Sequence, residues 1–436
     1  MKVAEVQLWG RRIGAVSSPD DGGIASFQYD RDFAASGIQV APLAMPLREA
    51  PYRFPNLNPD TFYGLPGLLA DSLPDKYGQA LINAWLAGQG RTPASFVPVE
   101  RLCYIGQRGM GALEFRPAQG PTAARNHDLH IDALVQLASE VLGDRKQLSV
   151  SLADGQRRQA MRDILQVGTS AGGARAKALI AYNPETGQVR SGQLALDPGF
   201  THWLLKLDGV TGNKDRDTLA DPQGYGMVEY AYSLMAADAG IHMTECRLLP
   251  EGGRWHFMTR RFDRTGAGGR VHVQTLGALA HLDYRQPDVH SYEQAFQAMR
   301  QLRLDHEDMR QMFRRMVFNI VARNQDDHVK NLSFTMDQGG HWELAPAYDV
   351  TWAYNTAGPW TARHQMSINY KRDDFTIADF EAVARVASLP RRLVKVVLDQ
   401  TIEVVAGWPR YAERVNVPQD LADSVAATVR LSFPER

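Results

Sequence analysis

Between Asp305 and Ile320 the apolar residues return every three or four positions. Met309, Met312, Phe313, Met316, Val317 and Ile320 form one stripe, and the spacing predicts a helix. The stripe ends at Arg323-Asn324-Gln325-Asp326-Asp327, a polar run that reads as a loop. Leu332 to Met336 then alternates as a strand does. Asp337-Gln338-Gly339-Gly340 is turn chemistry, His341 to Leu344 returns as a second strand, and Pro346-Ala347-Tyr348-Asp349 closes the unit.

The rest of the chain divides in the same way. Val3 to Val16 alternates around Gly10-Arg11-Arg12, which suggests a hairpin; Gly23 to Tyr29 and Ile38 to Pro46 read as short strands, and Leu65 to Leu86 as helical. A helix over His130–Leu142 follows a mostly polar linker at Ala123 to Asp128. Residues 1–120 are therefore expected to form a small β-rich domain. Further on, a strand ending near Val167, the Gly-rich Gly168 to Lys177, and strands at Ala178–Tyr182 and Trp203–Leu207 precede a helix over Tyr225–Ala239. Arg247–Leu249 and Trp255–Thr259 make a hairpin around Glu251-Gly252-Gly253. These elements place a second unit at residues 121–264, and Arg261-Phe262-Asp263-Arg264 crosses to a mostly helical third unit at 265–436.

Composition narrows the function without choosing it. The 436 residues suffice for two or three domains with cores of their own, and 44% hydrophobic with 22% charged residues does not describe a disordered chain. A net charge of −1 advertises neither nucleic acid nor membrane. The two cysteines, Cys103 and Cys246, are far apart, which argues against a disulfide framework or a structural zinc site. Met1 to Val6 reads as a strand rather than a leader, and no run approaches the ~18 apolar residues of a membrane span. A reducing cytoplasm is the expected setting.

The polar loop carries the candidate chemistry. Asn331 stands five residues after Asp326, and Asp349 eighteen after Asn331. A protein-kinase-like phosphotransferase needs an acid, an amide and a second acid in that order. One carboxylate orients the attacking hydroxyl, while the Asn and the second Asp hold the metal on the ATP phosphates. Asp-Asp-His in a loop also suits a solvated turn, so the rest of the chain has to decide. Lys206, between Leu205 and Leu207, is a cation in an apolar strand that needs a partner. Glu229, on the following helix, is one candidate; a snorkelling edge-strand lysine is the other reading. The Gly168–Lys177 loop suits phosphates but is not a Walker A motif, because Ala174-Arg175 stand where Lys and Ser/Thr belong. Histidines lack metal-ligand spacing, Ser151 and Ser170 lack a Ser-His-Asp context, and Arg391, Arg392 and Lys395 read as a solvated basic face.

With these segments placed, the chain resembles the HipA-type serine/threonine kinases, the toxin half of a bacterial toxin–antitoxin pair. The likeness rests on Phe62 to Asp75, Ser170 to Lys177, Arg261 to Arg264, Asp326 to Asn331 and Leu344 to Asp349. It implies an α+β, two-lobed protein-kinase-like fold with a small β-rich N-terminal domain and a mostly helical C-lobe. It implies Asp326 as the catalytic acid/base, Mg²⁺ held by Asn331 and Asp349, and ATP bound by Lys206, Glu229, His328, Lys330, Asn331 and the Ala171-Gly172-Gly173-Ala174 loop. It further implies self-phosphorylation at Ser170, a small HipB-like helix-turn-helix antitoxin as partner with DNA reached only through it, and a protein substrate such as an aminoacyl-tRNA synthetase. Arg175 and Ala176 depart from the polar pair of many relatives. A catalytically weak corepressor module and a small-molecule kinase are the competing expectations.

Overall fold

The computed structural model describes residues 1–121, 128–143, 155–169, 175–193, 196–210, 224–266 and 268–435. Ser170 and the Ala171-Gly172-Gly173-Ala174 loop lie outside them.

Among the described residues there are four sheets, one of them only the short parallel pair His290–Ser291 and Met366–Ser367; the other three follow one another along the chain. The first is four-stranded and antiparallel, in the order Ser26–Tyr29, Arg11–Ser18, Lys2–Leu8, Leu113–Arg116. Its inward positions, Ala4, Val6 and Leu8, alternate with outward ones, as a half-buried strand requires. The second is five-stranded, in the order Val189–Ser191, Lys177–Tyr182, Thr201–Lys206, Arg254–Arg260, Cys246–Glu251. The Tyr225–Asp238 helix packs against it. The third joins His272–Thr275, Ser333–Met336 and Trp342–Leu344, beside the long His306–Val321 helix. That helix starts where Asp305 accepts the backbone N–H groups of Glu307 and Asp308.

Two apolar cores hold these layers. One runs from Val6 and Phe27 in the first sheet through Tyr232 to Phe313 and Phe318. The other lies under the five-stranded sheet, where Ile180 and Leu205 meet Leu134 and Ile164 from the Ile131–Gly143 and Gly155–Val167 helices.

Two expected strands are absent. The segment ending at Val167 is a helix, Gly155–Val167, and its buried Ala160, Ile164 and Val167 have helical spacing. Ile38 to Pro46 is irregular backbone: Val40, Ala41 and Met45 are buried, yet Pro42 and Pro46 lack the N–H a ladder needs. The helical stretch from Leu65 is broken into Gly67–Ala70 and Lys76–Ala87, with Pro74 between them. No helix among the described residues is long and apolar enough to cross a membrane.

Candidate active site

Lys206 ends a strand paired on both sides, by Lys177–Tyr182 and by Arg254–Arg260, so it is no edge-strand lysine. Its Nζ lies 2.6 Å from Glu229 Oε1 and 2.5 Å from Asp349 Oδ1. Glu229 comes from the buried face of the Tyr225–Asp238 helix. Gly226 lets that helix approach the sheet, because a Cβ there would stand 2.9 Å from the Trp255 carbonyl oxygen. Asp349 follows the third sheet and takes a left-handed backbone, φ 51°, a conformation that collects at functional sites.

The charges set one another. Burial pushes the Lys206 ammonium down, but the Asp349 and Glu229 carboxylates outweigh it and hold it well above its ordinary value. Burial lifts the Asp349 carboxyl, and Lys206 and Lys177 more than reverse this, bringing it to about 2. Glu229 stays above the usual range because its burial outweighs Lys206. Arg175, in the C-terminal part of the Gly-rich segment, stacks on Tyr225 at 4.9 Å and reaches Glu229 Oε2 at 3.8 Å.

The neighbouring acids Asp326 and Asp327 part company. Asp327 is buried, its side chain 1% exposed, and takes bonds from Tyr292 (2.7 Å), His364 (2.9 Å) and the Gln365 N–H (2.8 Å). Arg430 can only donate to His364 Nε2 at 3.0 Å, so the His364 proton sits on Nδ1, facing Asp327. Asp326 is 30% exposed and lines a cavity of about 310 Å³ with Lys206, Glu229, His328, Asn331 and Asp349. His328 Nδ1 accepts the Lys330 N–H at 3.3 Å, which leaves its Nε2 side toward Asp326 Oδ1, 3.8 Å away. Asn331 Nδ2 donates to the Asp326 carbonyl at 2.8 Å.

Every described residue of the expected site therefore faces one cavity. Lys330 does so with its Nζ 2.7 Å from Asp75 Oδ1, an N-terminal partner that the sequence reading did not foresee. Lys177 is not among the site residues the sequence pointed to. It pairs directly across the strands with Lys206 and lines the same space.

Residues 169–408 match the HipA-like C-terminal domain, and residues 4–116 the HipA N-terminal domain. The chain belongs to the HipA family. HipA of Shewanella oneidensis MR-1, solved as a complex with HipB and its operator DNA, superposes on this HipA-family chain with a TM-score of 0.67. The match covers 97% of this chain and 94% of that one at 17% identity, so the two share the fold. Two proteins of Sinorhizobium fredii, named "Putative kinase Y4dM" and "Putative kinase Y4mE", are 30% and 28% identical over 227 and 222 residues. These alignments take in 47% and 45% of this chain, and 54% and 51% of those proteins. The chain thus spans about half the length of the curated relatives it matches. The two-lobed kinase-like fold expected from the sequence is the fold of this HipA-family chain.

Proposed function

We propose that the chain is an ATP- and Mg²⁺-dependent phosphotransferase of HipA type that acts on protein serine or threonine. The observation that carries this reading is the Lys206 ammonium held between Glu229 and Asp349 in the cavity onto which Asp326 opens. Lys206 neutralises phosphate charge, and Glu229 keeps its stem in place. Asp326 takes the proton of the acceptor hydroxyl as that oxygen bonds to the γ-phosphorus. The bond from the γ-phosphorus to the β–γ bridging oxygen breaks, and ADP leaves.

Among the described residues no three His, Cys, Asp or Glu side chains converge on a metal site. The donors present still suit Mg²⁺. Asp349 is ionised, and with its Nδ2 on the Asp326 carbonyl, Asn331 has its amide oxygen left to offer. Mg²⁺ takes few protein oxygens and fills its shell with water and phosphate; when bound it neutralises charge on the transferring phosphoryl group. The Ala171 to Ala174 loop would cover the nucleotide and Ser170 would be the self-phosphorylated residue. A HipB-like helix-turn-helix antitoxin would be the partner, as in the Shewanella complex, with a translation component such as an aminoacyl-tRNA synthetase as the substrate.

Intact and peptide mass spectrometry before and after Mg·ATP, on wild type beside Asp326→Ala, tests this. Phosphate gained at Ser170 by the wild type alone is the expected result. Equal labelling of the variant would remove Asp326 from the chemistry. A wild type that binds no ATP and gains no phosphate would leave the corepressor reading in its place.

A further inference from the structure

We propose that Asp75, from the N-terminal domain, is a positioning residue for the phosphate site: it holds the Lys330 amine on the cavity wall, so the N-terminal domain completes the site. The inference deepens the phosphotransferase reading and rests on it.

Lys330 is the residue before Asn331, in the loop of Asp326. Its Nζ stands 2.7 Å from Asp75 Oδ1 and 4.9 Å above the Tyr284 ring. Lys330 and Asp75 are only 19% and 16% exposed, and both line the cavity. Asp75 is the N-cap residue of the Lys76–Ala87 helix, yet its side chain makes no cap hydrogen bond. An Asp at that position ordinarily caps, worth about 1 kcal/mol to the helix. Here the carboxylate is turned to a lysine 255 residues away instead.

The segment carrying Asp75 is fastened to the same loop by a second route. Asp71 accepts the Thr275 N–H and hydroxyl, both at 2.9 Å. Thr275 caps the Leu276–Ala280 helix, whose Gly277 and Leu276 N–H groups donate to the Val329 and Leu332 carbonyls. Those carbonyls flank Lys330 and Asn331. The Lys330 carbonyl accepts the Tyr348 hydroxyl at 2.8 Å. The C-lobe thus fixes the backbone of Lys330, and the N-terminal domain fixes its amine. A lysine on a flexible stem is a point charge without fixed direction; Asp75 supplies the direction.

The test uses the full chain with Asp75→Asn, an isosteric loss of charge, and Asp75→Glu, which restores it. The contact itself is read without nucleotide from the urea midpoints of Asp75→Asn, Lys330→Met and the double variant, with Asp75→Glu expected to recover the wild-type midpoint in large part. Destabilisations that do not add are expected. Additive destabilisations overturn the proposal. In phosphoryl transfer, kcat is expected to fall roughly 10- to 100-fold in Asp75→Asn, as for a displaced group at a reacting centre. Affinity for a fluorescent ATP analogue should change far less. Coupled midpoints with unchanged kcat also overturn the positioning role. If the midpoints couple while the wild type itself transfers no phosphate, the contact stands and the phosphotransferase reading falls. Lys330→Met and its combination with Asp75→Asn give a second measurement: losses in kcat that do not add are expected, and additive losses contradict the pairing.

Discussion

At the scale of single residues, burial decides what each charge can do. Asp326 and Asp327 are neighbours in sequence, but three donors use up Asp327, while Asp326 faces the cavity. Lys177 and Lys206 face each other across two strands, yet Asp349 and Glu229 sustain one ammonium while burial weakens the other. Burial comes first for Lys177 and brings it down to about 8 despite Asp349 nearby. Its folded value thus lies below its unfolded one. Between about pH 8 and 10.5 the unfolded chain holds a proton that the native chain does not, so this residue makes stability rise with pH. Urea midpoints of wild type and Lys177→Met across that range should therefore diverge, with the wild type gaining roughly 2–3 kcal/mol relative to the variant. Parallel curves would contradict the placement of Lys177. The sequence carried the five-residue step from Asp326 to Asn331 and the isolation of Lys206 among leucines. It carried no sign that Asp75 would meet Lys330, or that His364 and Arg430 would stand behind Asp327, because partners separated by dozens to hundreds of residues leave no local pattern.

Among elements, the Gly67–Ala70 helix shows how closely the N-terminal domain meets the C-lobe. A Cβ on Gly67 would stand 2.3 Å from the Ala278 carbonyl oxygen, and the Gly67 N–H donates to His281 Nε2 at 3.0 Å. Backbone cannot yield as a side chain can. Gly67→Ala is expected to cost about 1–3 kcal/mol in urea unfolding, as overpacking does; an unchanged midpoint would mean that the two surfaces do not meet this way. Strong periodicity was legible: the stripe from Met309 to Ile320 gave its helix, and the hairpin around Gly252-Gly253 formed as expected. The stretch before Val167 reads as a strand in the sequence and is a helix in the fold, because a short apolar run fits either period. The adjacent Ile131–Gly143 helix, with which it shares the second core, settles the matter. Val40, Ala41 and Met45 show the converse, apolar positions buried without any strand to carry them.

For the whole molecule, Asp263 is the junction. It is fully buried and accepts from Arg261, Arg264 and the Gly111 N–H, each at 2.7 Å. Arg264 in turn donates to the Gly109 and Gly111 carbonyls at 3.0 Å. The Arg261–Arg264 segment is thereby tied to the end of the N-terminal domain. Burial opposes the Asp263 charge, but Arg261 and Arg264 hold its carboxyl far below the usual range. Asp263→Asn strands two buried guanidinium groups and is expected to lose about 3–5 kcal/mol in guanidinium chloride unfolding. A loss under about 1 kcal/mol, the scale of an exposed ion pair, would mean the cluster is not sealed from water.

The Lys76–Ala87 helix belongs to both cores at once. Tyr77 and Leu81 lie in the core under the five-stranded sheet, Ile82 and Leu86 in the core shared with the C-lobe. Twelve residues make a rod of about 18 Å, and its first turn begins at Asp75. A rod seated in two bodies works as a lever: when those bodies shift against each other, it must tilt, and the tilt is felt at its tip. In this chain the tip is a carboxylate resting on the amine next to Asn331.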